Sequence, residues 1–152
     1  MLKRFFAPLA IVLAFAAYLV PAAANAAKDG YNHHLIIHVD DDDKGKMDIA
    51  MNNAANVTQY YQSKGQKVMI EIVAYGPGLN MLIPAKSHVH DRITNFAGSF
   101  DNISFVACGN TKAKMEKKSG KPVVLYDFAK PAVSGVVQIM TRQDQGWHYL
   151  RP

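Results

Sequence analysis

Cysteine occurs once in the 152-residue sequence, at Cys108, inside the string Phe105-Val106-Ala107-Cys108-Gly109-Asn110-Thr111. A lone thiol cannot close an internal disulfide, so it is an inert core group, an intermolecular bridge or a reactive site. The apolar residues before Cys108 read as a strand, Gly109 permits a sharp turn, and Asn110 or Thr111 is the expected N-cap of a helix from about Lys112 to Lys118. Amides at a helix start carry partial positive charge. They favour thiolate over thiol and suit an anion or the terminal sulfur of a persulfide. The competing reading of the same residue is a small buried apolar thiol.

Tyr75-Gly76-Pro77-Gly78 is the second informative string. Its glycines permit positive φ and close backbone approach, as a tight turn, a ligand-facing loop or a subunit-facing loop requires. It has neither the length and lysine of a phosphate-binding loop nor a GxGxxG pattern, so no nucleotide cofactor is expected. Asp40 to Asp43 place four carboxylates in succession; they would raise the pKa of a nearby thiol, so at most one or two should face it. They read as a solvated loop in which Asp43 caps the following helix. The six histidines form no Cys-x-x-Cys or His-Glu-x-x-His ligand pattern, and no metal site is assigned.

The elements that must position these residues follow from periodicity. His33 to Val39 reads as a buried strand, and Lys46 to Lys64 as a helix with Met47, Ala50, Met51, Ala54, Val57 and Tyr61 on one face. Lys67 to Tyr75 is a second strand, Leu79 to Ile83 a helical turn, His88 to Ala97 a helix and Ile103 to Ala107 a third strand. Pro122 to Tyr126 is the expected fourth strand. Val133, Val136, Val137 and Met140 mark a last helix, and Trp147 to Leu150 closes the chain. Alternating strands and helices predict an α/β three-layer sandwich with a mostly parallel sheet of about five strands. If the strand order is 2-1-3-4-5, the Asp40 loop lies beside Cys108.

The amino terminus reads as an address. Lys3 and Arg4 precede the apolar run Phe5 to Val20, and Ala24-Asn25-Ala26 offers a cleavage site, which predicts a signal peptide over 1–26 and a mature domain over 27–152. Periplasmic localisation without stable membrane insertion after cleavage is the expectation. Lys+Arg falls from 17 to 15 on losing Lys3 and Arg4, against 12 acids, so the mature charge is 15 − 12 = +3. Lys112, Lys114, Lys117, Lys118, Lys121 and Lys130 concentrate that charge, yet as a solvated face; no nucleic-acid partner is expected.

With these segments placed, the sequence resembles the DsrE/DsrF-like family, the sulfur-relay group that includes TusD-type proteins. The resemblance is carried by HVDDDDKGKMDIAMNNAANV (His38 to Val57), IEIVAYGPGLNML (Ile70 to Leu82), FVACGNT (Phe105 to Thr111) and SGVVQIMTRQDQGWHYLRP (Ser134 to Pro152). It implies a flavodoxin-like sandwich, a homo-oligomer of trimer or hexamer type, and a cysteine after the third strand that takes sulfane sulfur as a persulfide and passes it to a partner protein. Cys108 matches that cysteine. Gly109, Asn110 and Thr111 are then expected to stabilise the anion. Asn53, Tyr75, Gly76 and Gly78 are candidate ligand-facing or interface residues. The alternative to a sulfur carrier is a non-catalytic oligomeric binding module with a buried cysteine.

Overall fold

The computed structural model describes residues 29–152, so the leader assigned to 1–26 lies outside the described residues. Five parallel strands, β1 (His33–Val39), β2 (Val68–Ala74), β3 (Ile103–Cys108), β4 (Ala129–Ala132) and β5 (His148–Leu150), form one sheet. Helices α1 (Lys44–Ser63), α2 (His90–Ser99), α3 (Gly109–Ser119) and α4 (Gly135–Asp144) connect them, with a 3-10 helix over Gly76–Leu82 after β2. This is the expected flavodoxin-like α/β three-layer sandwich.

The strand order is β4-β3-β2-β1-β5, which replaces the order 2-1-3-4-5 entertained from sequence. Steps from β1 to β4 advance in one direction, so right-handed crossovers put α1, α2 and α3 on one face. The return from β4 to β5 passes back over three strands, and among the described residues α4 is therefore the one helix on the other face. Because β2 separates β1 from β3, the Asp40 loop adjoins the Tyr75 loop rather than Cys108.

The larger core forms under α1, α2 and the 3-10 helix, where Leu35, Ile37, Ile70, Ile72 and Phe105 of the sheet meet Met47, Met51, Leu82 and Ile93. The side chain of Asp43 accepts from Lys46 N at 2.8 Å and caps α1, as expected. Buried Asn102 donates to Thr58 Oγ1 and to Val68 O, each at 2.9 Å, tying α1 and β2 to the turn before β3. At the opposite end, a Cβ on Gly78 would fall 2.3 Å from Val39 O. Only glycine lets the 3-10 helix lie this close to the end of β1.

Two assignments change. The fourth strand is Ala129–Ala132, not Pro122 to Tyr126, because Val123 and Tyr126 spend their amides elsewhere: Val123 N donates to Glu116 Oε1 at 2.9 Å and Tyr126 N to Leu82 O at 3.1 Å. The side chains of Val123, Leu125 and Tyr126 still pack against the core, so the hydrophobic signal was real without a ladder to accompany it.

The second change concerns α4. Val133, Val136, Val137 and Met140 point outward, with 85%, 49%, 58% and 58% of their surface exposed, while Gly135 and Ile139 are buried and Gln138 and Arg142 are half-buried. Glu71 on β2 decides this rotation. Its carboxylate faces α4, only 6% exposed, and receives Gln138 Nε2 at 2.7 Å and Arg142 Nη2 at 2.5 Å. The Arg142 guanidinium also stacks 4.6 Å from the Trp147 ring centroid. A buried carboxylate without those donors would be far costlier than a few exposed valines.

Candidate functional site

Cys108 closes β3 and is itself the N-cap of α3, two or three residues earlier than the Asn110 or Thr111 cap expected from sequence. Its Sγ accepts from Thr111 N at 3.5 Å. Gly109 is required at the turn, because a Cβ there would lie 2.9 Å from Ala132 O. The first turn is further fixed by Asn110 N donating to Val133 O at 3.0 Å, while the Asn110 side chain is exposed.

A second helix start meets the same sulfur. Ser134 caps α4 by accepting from Val137 N at 3.5 Å, which brings Gly135 against the site. A Cβ on Gly135 would stand 2.9 Å from Tyr75 Cδ1 and 3.3 Å from Cys108 Cβ. Burial pushes the Cys108 thiol up. The side-chain hydrogen bond with Thr111 and those from the backbone amides of Gly135, Thr111 and Asn110 outweigh it, so the thiol sits below its ordinary value. Such a site can hold sulfur as an anion, either thiolate or persulfide. Cys108 itself is only 4% exposed.

Thr111 also links the two predicted loops: its Oγ1 accepts from Gly76 N at 3.0 Å. Gly76 takes φ +54° there, a left-handed conformation suited to glycine. Tyr75 leans on Gly135 and stacks over His38 at 4.5 Å between centroids. Burial raises the Tyr75 phenol's pKa, with the Asp40 carboxylate adding to the rise. The geometry thus gathers Cys108, Gly109, Asn110, Thr111, Tyr75 and Gly76 at one edge. Gly78 acts one turn away as packing against β1. Asn53 is not brought in: it lies in the third turn of α1, on the opposite face of the sheet and roughly 13 Å along the helix from its first residue.

Sequence reasoning passed over Gly135 and His38. Ser134-Gly135 ahead of Val136 and Val137 carried a helix-start signal, but nothing local ties it to Cys108. His38 shares a face with Val73 and Tyr75 through strand alternation. Its Nδ1 bonds Tyr149 Oη at 2.8 Å, and its Nε2 is buried without a hydrogen-bond partner, 3.7 Å from Asp40 Oδ2. Burial holds the His38 pKa below the ordinary value despite the Asp40 carboxylate, keeping the ring neutral near pH 7. The acidic run disperses: Asp40 pairs with Arg151 at 2.8 and 3.0 Å, Asp41 with Lys46, and Asp42 with Asn80 and His88. Among the described residues no three His, Cys, Asp or Glu side chains form a metal-binding group.

Two depressions lie nearby on α3. One of about 320 Å³, lined by Gly76, Pro77, Asn80, Thr111, Lys114, Met115 and Lys118, runs beside the thiol's partner Thr111. A larger one of about 450 Å³, between Ile83 to Lys86 and Ser119 to Val124, opens at the far end of α3 and touches none of the groups around Cys108. No helix among the described residues is long and apolar enough to cross a membrane.

Fold and site together define an α/β sandwich with one cysteine held at the carboxyl edge of its sheet by two helix starts. The chain aligns with the solved structure of a protein of unknown function from Methanobacterium thermoautotrophicum at 30% sequence identity, over 79% of this chain and 99% of that one, with a TM-score of 0.66. It belongs to the same family as that archaeal protein. No family model matches the chain, and no curated protein does.

Gly135→Ala tests the second helix start. It is expected to cost about 1–3 kcal/mol in chemical denaturation, the usual range for overpacking, and to raise the pH midpoint of Cys108 alkylation by a small electrophile. Thr111→Val should raise the midpoint too. Unchanged midpoints in both variants would remove these donors from the account. The sign also fixes a linkage: a lowered thiol pKa adds stability above the unfolded thiol's pKa, and that stability is lost as pH falls through the folded value.

Proposed function

We propose that the protein is an exported, periplasmic, DsrE-like sulfur carrier or sulfurtransferase-type protein that acts through a persulfide on Cys108. The observation that carries this reading is the position of Cys108 between two helix starts: its Sγ accepts from Thr111 N at 3.5 Å at the start of α3, and Gly135 at the start of α4 packs against its side chain. The lowered thiol pKa agrees with that geometry. In the loading step the Cys108 thiolate attacks the outer sulfur of a persulfide or polysulfide. A new S–S bond forms, the donor's S–S bond breaks, and the donor leaves as a thiolate with the electron pair. Attack by an acceptor thiolate on the outer sulfur reverses the step and returns Cys108 as thiolate. No external oxidant or reductant enters. The basic and apolar leader, with its Ala24-Asn25-Ala26 exit, supports the periplasmic part of the reading.

The 4% exposure of Cys108 favours a second reading, a non-catalytic oligomeric binding module with a structural cysteine. Intact mass separates the two. After incubation with polysulfide, the carrier reading expects additions of about 32 Da per sulfur on the wild type and none on Cys108→Ser. No addition, or an equal addition to both proteins, would leave the binding module.

Assembly as a homo-oligomer, a trimer or hexamer, is part of either reading. Its support here is the exposed apolar set of Val136, Val137 and Met140 on α4 with Val133 just before the helix. Sedimentation should give a multiple of the monomer mass for the wild type and the monomer for Val137→Asp/Met140→Asp. A monomeric wild type would end this part of the proposal.

A further inference from the structure

Helix α3 is unusual among the four in having no buried residue and an excess of cations: Lys112, Lys114, Lys117 and Lys118 against Glu116. Lys112 spends its charge on Glu116 at 2.6 Å, whereas Lys114, Lys117 and Lys118 have no carboxylate partner among the described residues. Lys114 and Lys118 line the groove of about 320 Å³, together with Pro77, Met115 and Thr111. The groove therefore combines apolar and cationic lining and lies one residue contact from the sulfur, since Thr111 N donates to Cys108 Sγ.

We infer that this groove docks an acidic, apolar-centred segment of the protein that exchanges sulfur with Cys108, its carboxylates pairing with Lys114 and Lys118 and an apolar side chain lying on Pro77 and Met115. The identity of the partner as a sulfur donor or acceptor rests on the carrier reading; the docking itself does not. Lys117 lies on the same helix and Lys121 lines the depression at its far end, which fits an extended segment better than a small anion filling the groove alone. Nucleic acid is disfavoured because no aromatic ring lines the groove to stack a base. Electrostatic docking at this rim would also speed encounter and set the orientation of the incoming sulfur.

The test uses a synthetic twelve-residue peptide alternating aspartate and leucine, with a lysine–leucine peptide as its charge-reversed control. Amide chemical shifts of Gly76, Thr111 and Met115 are expected to move with the acidic peptide alone. Binding should weaken about tenfold or more in Lys114→Glu/Lys118→Glu, and similarly when salt rises enough to halve the screening length. Lys130→Glu, outside the groove, should leave it unchanged. Cys108→Ser should bind as the wild type does, so a failure of sulfur loading and a failure of docking are read separately. Equal binding of the two peptides, binding indifferent to Lys114 and Lys118, or shifts confined to another surface would overturn the inference. So would lysine-dependent binding to phosphatidylglycerol vesicles with none to the peptide, which would assign the surface to a membrane.

Discussion

The buried carboxylate of Glu71 is the constraint on which the arrangement at Cys108 depends. It stands on a central strand, faces the side of the sheet covered by α4, and is met by Arg142 and Gln138. A buried ion pair is weak evidence for stability, because desolvation offsets much of its attraction. Its effect here is on specificity: it selects the face of α4 that turns inward. Once Arg142 and Gln138 are committed to Glu71, Ile139 and Gly135 must follow on the same side at helical spacing. Gly135 then lies against Tyr75 and Cys108, and the valines and Met140 are left outside.

Two consequences of opposite character come from that one rotation. Inward, the start of α4 adds its amide to those of α3, so a thiol that burial alone would neutralise is tuned toward its anionic form. Outward, Val136, Val137 and Met140 are left exposed. The long return from β4 to β5 makes both possible, since it carries α4 over the three strands whose ends bear Cys108, Tyr75 and His38. The burial of Cys108 and the lowering of its pKa have the same cause. The donors that favour a sulfur anion also enclose it, so the proposed sulfur exchange would require local movement around Thr111 or Gly135.

Much of this was legible in the sequence. Strands β1 to β3 are short runs of branched aliphatics, and Asp43 before the amphipathic run of α1 announced its own cap. The Cys108 and Tyr75 loops converge because parallel strands in register must end together. What failed were inferences needing a partner far along the chain. The residues from Pro122 to Tyr126 have strand-like composition, but ladder bonds depend on where β3 lies, and their amides found Glu116 and Leu82 instead. The valines of α4 carry a clean apolar period, yet Glu71, 71 positions before Arg142, outranks it. A lone glutamate within Ile70-Glu71-Ile72-Val73 was the available signal. Asn53, read as a candidate ligand-facing or interface residue, lies on α1, which the topology puts on the face of the sheet away from α4.

The central claim is that the amides of two helix starts convert a buried thiol into a site for a sulfur anion. Titration of thiolate absorbance, taken as the difference between the protein and Cys108→Ser across pH, measures this without any assumption about donor or acceptor. The account predicts a midpoint below the value of about 8.5 typical of an unperturbed cysteine. A midpoint at or above that value would mean that burial dominates the hydrogen bonds, and would contradict the proposal that Cys108 carries sulfur.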